Sequence, residues 1–313
     1  MEYPKFKVCV RSYTYNQSAY ITDTMNGFVL QETNYPFVCC IVDDCSTDGE
    51  QDVIRKYFMA NFSTEEASFE QETSYATILY AQHKTNKNCY FAVLLLKENY
   101  YSKQQSFKKL EYIKPWRDGC TYDAICEGDD YWIHPHKLQM QTDFLDSHEE
   151  YGLVRTNCDT INEKGVYTKS KMTDNFYGKA KDTFKDQLLN AYWLAPCTWM
   201  YRKEMFELYG QLVKGLDYKK FFKADLFLSL TIFKNSKVKY LNETTSVYRI
   251  LSISASHFNT VKENLDFYRR CCNTRMFFAK DENIIFRIKL KIKFMKPYIT
   301  SFIKMILSPI LKK

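Results

Sequence analysis

Glycine and proline are scarce in this chain, 9 and 7 residues among 313, and no segment is repeated or of low complexity. Together with 45% hydrophobic and 17% aromatic residues, this argues against extended disorder and for one large or two ordinary folded domains. Eleven cysteines are present, but no C-x-x-C pair, and Cys9, Cys39, Cys40 and Cys126 sit inside apolar runs. That placement argues against a zinc or disulfide framework and predicts small buried hydrophobes in a reducing compartment. No apolar run reaches the roughly 18 residues a membrane span needs. The opening MEYPKFKVCV has neither the apolar run nor the small-residue cleavage site of a secretory signal, so a cytoplasmic protein is expected. Acidic residues are missing from 283–313, where Arg287, Lys289, Lys291, Lys293, Lys296, Lys304, Lys312 and Lys313 lie. The net charge of +7 therefore belongs to the tail, and the body is not expected to bind nucleic acid.

The remaining chain alternates strand-like and helix-like patterns. Phe6 to Val10 reads as a buried strand, followed by a polar loop and by Ile21, Met25, Phe28 and Val29 at helical spacing. Phe37 to Val42 is a second continuous apolar strand, ended by DDCSTDG. There Ser46, Thr47 and Asp48 are N-cap candidates for a helix carrying Val53, Ile54, Tyr57 and Phe58. Tyr75 to Tyr80 and Tyr122 to Cys126 read as further strands, while 82–119 shows no clear pattern. Downstream, helices are expected around Leu138 to Leu145, near Glu204 to Tyr209 and from Asp225. Strands are expected at Tyr151 to Thr156, Thr198 to Tyr201, Val238 to Leu241 and Val247 to Ile250, and a loop at Met172 to Lys185. Strands that are apolar throughout, alternating with helices, imply an α/β fold with a mostly parallel sheet between helices. Ligands of such sheets bind beyond the carboxyl ends of the strands. Both acidic clusters, Asp43 with Asp44 and Glu127 to Asp130 in CEGDDYW, fall at such ends.

Adjacent carboxylates beside a sheet repel one another and lose hydration, so they are stable there chiefly in water or against a cation. With oxygen ligands, that cation would be Mn²⁺ or Mg²⁺, its shell completed by water and a substrate's phosphates. A lone acidic pair is more often a solvated turn. Here VCVRSYTYNQ, FVCCIVDDCSTDG, YDAICEGDDYW and a downstream acidic residue opening a helix occur in order. Together they resemble the family 2 glycosyltransferases of the GT-A fold, over about residues 6–257.

The resemblance implies that Tyr15 lines the pocket for the nucleotide base and that Asp43 accepts a hydrogen bond from it, with Asp44 nearby. It implies that Asp129 and Asp130 contact the ribose or the diphosphate-bound metal, with Glu127 in the first place of a D-x-D element that ordinarily begins with Asp. Asp225 matches the proton-accepting carboxylate, although Ala224 precedes it where the family has Glu. Arg249 and His257 are phosphate or metal candidates in a closing loop, and residues 193–198 (WLAPCT) would face the acceptor. For Asp225, Arg249 and His257 structural roles compete with these readings, as does a helix-capping role for Asp48. The implied partners are a nucleotide-sugar donor, UDP-sugar favoured because an aromatic beside a carboxylate suits a uracil-like base, and a saccharide or lipid-linked acceptor. A nucleotidyltransferase lacks its glycine-rich phosphate loop here, and a non-catalytic scaffold stands as the non-enzymatic alternative.

The expected domains are a GT-A domain over 1–257, with a nucleotide-binding half of about 1–135 and an acceptor half of about 136–257, and a basic segment over 258–313. In that segment Phe286 to Phe294 (FRIKLKIKF) alternates as a strand would. From Met295 onward, Tyr298, Ile299, Phe302, Ile303 and Ile306 recur at helical spacing. A basic, apolar segment of this kind suits the surface of an anionic membrane.

Overall fold

In the computed structural model, the described residues are 3–64, 68–169, 183–190, 195–217, 219–222, 225–252 and 260–307. The chain divides into two compact units: Met1–Gly178 with Leu194–Lys203 and Lys239–Ile250, and Lys179–Trp193 with Glu204–Val238 and Leu251–Lys313.

The first unit is built on the two apolar strands read from the sequence, β1 (Val8–Thr14) and β2 (Phe37–Asp43), separated by α1 (Ile21–Val29). Every residue of β2 is buried, which is why it carries no polar alternation. The helix α2 (Glu50–Asn61) follows, then β3 (Phe69–Glu72), β4 (Ala76–Gln82) and β5 (Cys89–Leu96). Two short helices, α3 (Phe107–Tyr112) and α4 (Lys114–Arg117), lead into β6 (Tyr122–Ile125) and β7 (Tyr131–Trp132). Helix α5 (Lys137–Ser147), β8 (Tyr151–Asn162), β9 (Tyr167–Lys169) and β10 (Trp199–Arg202) complete this part, and β11 (Lys237–Ile250) returns to it.

These strands form one sheet in the order β3-β4-β5-β2-β1-β6-β10-β8-β11-β7, with β9 on β8. Its centre, β5-β2-β1-β6, is parallel, as expected, and antiparallel strands extend both flanks. Thr14 pairs with Asp43, so β1 and β2 end level with each other. All eleven cysteines are free thiols, nine of them buried, in keeping with their reading as small core residues.

The second unit contains α6 (Phe184–Asn190), α7 (Lys203–Val213), α8 (Asp225–Asn235), α9 (Val261–Phe278) and α10 (Ile284–Leu307). Leu188, Phe227, Leu230, Phe278, Ala279 and Leu290 form its buried core.

Three expectations need correcting. Val238 to Leu241 and Val247 to Ile250 are one strand, β11, because backbone pairing continues past the exposed Asn242 and Glu243. Phe286 to Phe294 is helical, because an alternating run also repeats every fourth residue. Phe286, Leu290 and Phe294 thereby share one helix face and pack on the second unit's core. Part of the expected loop at 172–185 is helical too, since α6 begins at Phe184, and 172–182 lie outside the described residues.

Candidate active site

The carboxyl ends of β1, β2 and β6, adjacent in the sheet, carry most of the residues singled out above. The β1 end presents Tyr15, 46% exposed, followed by Asn16 in the left-handed region at φ 54°. The β2 end presents Asp43 and Asp44. The amide of Asp44 donates to Thr14 O at 3.0 Å, and that of Gly128 donates to Tyr13 O at 3.2 Å. Both acidic segments are thus laced to the end of β1.

The two aspartates of β2 have different tasks. Asp43 is buried; its Oδ1 accepts from the Ser46 amide at 3.0 Å and from Gln51 Nε2 at 2.5 Å. Its Oδ2 has no partner, and burial raises the carboxyl above its ordinary value. An orphaned carboxylate oxygen of this kind is costly unless a ligand donor or a proton meets it. Asp44, by contrast, is saturated. It accepts from the amides of Tyr100 and Tyr101 at 2.8 and 3.0 Å and from Lys109 Nζ at 2.9 Å, and Lys109 also lies over the Tyr13 ring. Asp44 therefore anchors the chain leaving β5.

The turn Glu127-Gly128-Asp129-Asp130 is held from three sides. Glu127 Oε2 accepts from the Tyr13 amide at 3.2 Å. Thr24 Oγ1, on α1, donates to the carbonyls of Gly128 and Asp130 at 2.9 and 2.7 Å. Arg249, near the end of β11, donates from its amide to Asp130 Oδ1 at 2.9 Å and from Nε to Asp129 O at 3.1 Å, and pairs with Asp23 at 3.0 Å. Its guanidinium lies 4.4 Å from the Tyr20 ring centre. At position 128 a Cβ would overlap Thr14 Oγ1 and the Gln17 side chain, so only glycine permits this approach.

Within the turn, Asp130 is 3% exposed, and its carboxyl is raised well above the usual range by burial and then by Asp129. Asp129 and Glu127 are half-buried. Burial raises Asp129, and burial followed by the charge of Asp129 pushes Glu127 up to about 7. Among the described residues no group of three or more His, Cys, Asp or Glu side chains is set to hold a metal ion. The donor set nevertheless fits Mg²⁺ or Mn²⁺, which typically take one or two carboxylates and complete their shell with water and substrate phosphates.

The Glu127 shift has a measurable sign. Between its ordinary value of 4.5 and about 7, the folded protein holds a proton that the unfolded chain has released. The stability due to this group is therefore full at low pH and lost as the pH rises through about 7. In metal-free protein, Glu127→Gln is expected to raise Tm by about 2–4 °C at about pH 8, a gain on the order of 1 kcal/mol after discounting for partial exposure. At about pH 5 the gain should vanish. Thermal unfolding at both pH values checks this; an equal gain at both would place the cost elsewhere.

Glu50 escaped the sequence reading. It is buried beneath both loops: Oε2 accepts from the Gln17 amide at 2.9 Å and from Ser46 Oγ at 2.8 Å, and the Thr14 hydroxyl bonds to Oε1. Asp48 accepts from the amides of Ser18 and Glu50 at 3.0 and 3.1 Å, but the N-cap of α2 is Gly49, in the left-handed region at φ 87°, and not Ser46, Thr47 or Asp48. Of the other candidates, Asp225 opens α8 in the second unit. Burial raises its carboxyl, and the amide of Leu226 donates to it at 2.8 Å. His257, Trp193 and Leu194 lie outside the described residues. Pro196–Thr198 forms a 3-10 turn whose Cys197 carbonyl accepts from Trp132 Nε1 at 2.8 Å and Ser246 Oγ at 3.0 Å.

An exposed aromatic and two acidic turns thus stand at the carboxyl edge of a parallel centre, where ligands of open α/β sheets bind. Residues 10–65 match the sequence profile described as "Glycosyl transferase family 2". Over 139 residues, 44% of this chain, it is 32% identical to uncharacterized proteins of Mycobacterium tuberculosis and Mycobacterium bovis, and the match spans 31% of their length. Among solved structures it is similar to residues 1–349 of S. aureus TarS in complex with UDP, at TM-score 0.56 and 18% identity over 93% of this chain and 71% of that one. The same protein in complex with UDP-GlcNAc gives TM-score 0.56 at 17% identity, over 93% and 72%. The mannosyltransferase PcManGT from Pyrobaculum calidifontis, in complex with GDP-Man and Mn²⁺, gives 0.51 at 12%, over 97% and 70%. At these identities the structural likeness shows the fold.

Proposed function

We propose that this chain transfers a glycosyl group, with inversion, from a nucleoside-diphosphate sugar to a hydroxyl of a saccharide or lipid-linked acceptor, as a step in polysaccharide or glycan assembly. The observation that supports this reading is that Tyr15, Asp43, Glu127 and Asp129 end or follow the carboxyl ends of three adjacent parallel strands, β1, β2 and β6. Tyr15 offers a face for the base to stack on, and the orphaned Asp43 Oδ2 offers an acceptor for a ring N–H, which favours a uracil-like base. Asp129 with Glu127 would hold Mn²⁺ or Mg²⁺, and Asp130 would keep the turn in place through Arg249. The ion, when bound, supplies positive charge against that developing on the departing diphosphate. The acceptor oxygen bonds to the anomeric carbon as the bond from that carbon to the diphosphate oxygen breaks, and a carboxylate takes the hydroxyl proton. Asp225 is assigned that role on the family resemblance, and burial, by raising its pKa, makes it a better base.

The test is calorimetric binding of UDP, GDP and CDP with and without Mn²⁺, followed by donor turnover. One nucleotide is expected to bind with Mn²⁺ dependence, and Tyr15→Ala to weaken it about tenfold by loss of stacking. Turnover releases a nucleoside diphosphate; release of pyrophosphate would indicate nucleotidyl transfer instead. A folded protein that binds none of the three nucleotides would overturn the reading.

A further inference from the structure

We propose that α10 lies in the plane of an anionic lipid bilayer and inserts one apolar stripe into it. Laid out at 100° per residue, Ile284, Ile285, Ile288, Ile292 and Ile299 fall within an arc of about 100°. They are exposed by 64, 78, 52, 66 and 50%, although an isoleucine seeks burial more than almost any other residue. The opposite face, with Phe286, Leu290 and Phe294, is the one packed on the second unit's core. The stripe is therefore a second apolar face left over after the helix has docked. It runs about 22 Å along the axis, far larger than a scattered surface hydrophobe, and an open groove along it is lined by Ile288, Lys291, Ile292, Met295, Ile299 and Thr300.

Charge decides what covers it. Arg287 and Lys291 border the stripe on one side and Lys289 on the other, with Lys289 and Lys291 exposed; α10 contains no Asp or Glu. Apolar side chains at the level of the acyl chains, with flanking ammonium groups reaching back to phosphates, are what an interfacial helix requires. A second copy of this chain would set basic rows against identical basic rows, with no acidic residue on the helix to relieve them. Among the described residues no helix is long and apolar enough to cross a membrane, so the contact is with one face of the bilayer.

The inference is independent of glycosyl transfer, because it is read without a sugar donor and its failure leaves the donor site untouched. The full chain is co-sedimented with phosphatidylcholine vesicles, with and without phosphatidylglycerol. Binding is expected only to the anionic vesicles, falling with salt. Ile288→Glu/Ile292→Glu is expected to lower the partition coefficient tenfold or more. Lys289→Glu/Lys291→Glu is expected to lower it about tenfold and to flatten the salt dependence. These positions are exposed, so unchanged Tm separates lost binding from lost folding. Wild type absent from anionic vesicles, equal binding to uncharged ones, or wild-type affinity in both variants would overturn the proposal. So would a concentration-dependent dimer that the isoleucine variant abolishes.

Discussion

Asp129→Asn is expected to lower kcat/KM for donor turnover by about 10²–10³-fold without lowering Tm. Asp129 is half-buried, its backbone carbonyl is held by Arg249, and the amide substitution keeps its size. What is lost is a negative charge where the diphosphate-bound cation would sit. The loss should appear chiefly in the Mn²⁺ dependence: nucleotide affinity in metal-free buffer stays as in the wild type, and the gain on adding Mn²⁺ disappears. Asp130→Asn is the contrasting case. Its Oδ1 accepts an amide proton from Arg249, which asparagine's carbonyl oxygen can also do, so a smaller loss of turnover is expected. Equal losses in the two variants would reverse the division of labour assigned to the turn.

Lys109→Met is expected to lower Tm by about 10 °C. Lys109 and Asp44 are 6% and 1% exposed, and the ion pair spans 2.9 Å. Removing the ammonium leaves a buried carboxylate with two amide donors and no cation, a loss of about 3–5 kcal/mol in a protein where each kcal/mol moves Tm by about 2–4 °C. The double variant Asp44→Asn/Lys109→Met removes the stranded charge as well and should recover part of the loss. Thermal unfolding of the two single variants and the double variant measures this coupling. If the effects simply add, the pair contributes nothing beyond its separate parts.

These residues also show which parts of the molecule could be read in advance. The β1 and β2 strands were legible because continuous apolar runs ending in polar turns have few other uses, and the acidic turn after β6 stood out because its charge had no local counterion. Lys109 was not legible. It lies in 82–119, where the strand Cys89–Leu96 is followed by short helices, and the pairing of Lys109 with Asp44 spans 65 residues. Glu50 looked like any acidic residue in a helix's first turn; only the return of Thr14 and Gln17 makes it a buried junction. The alternation in FRIKLKIKF was real, but two and four share a period, and the packing partners of Phe286, Leu290 and Phe294 decided between them. Arg249 is a candidate only through the resemblance of its segment to a closing loop, whereas its bonds to Asp23 and the Asp129 carbonyl depend on sheet topology.

The junction at Glu50 has a dynamic consequence. The amides of Asn16, Gln17 and Ser18 belong to a surface loop, where exchange with solvent protons is ordinarily fast. Here each donates to a side chain of the neighbouring loop: Ser46 Oγ at 2.9 Å, Glu50 Oε2 at 2.9 Å and Asp48 Oδ2 at 3.0 Å. Those three amides can exchange only when the two loops part, so their deuterium uptake follows the opening of the edge on which Tyr15 and Asp43 stand. Slow uptake there would mean a nucleotide pocket already assembled before its ligand arrives, with little ordering entropy left to lose on binding.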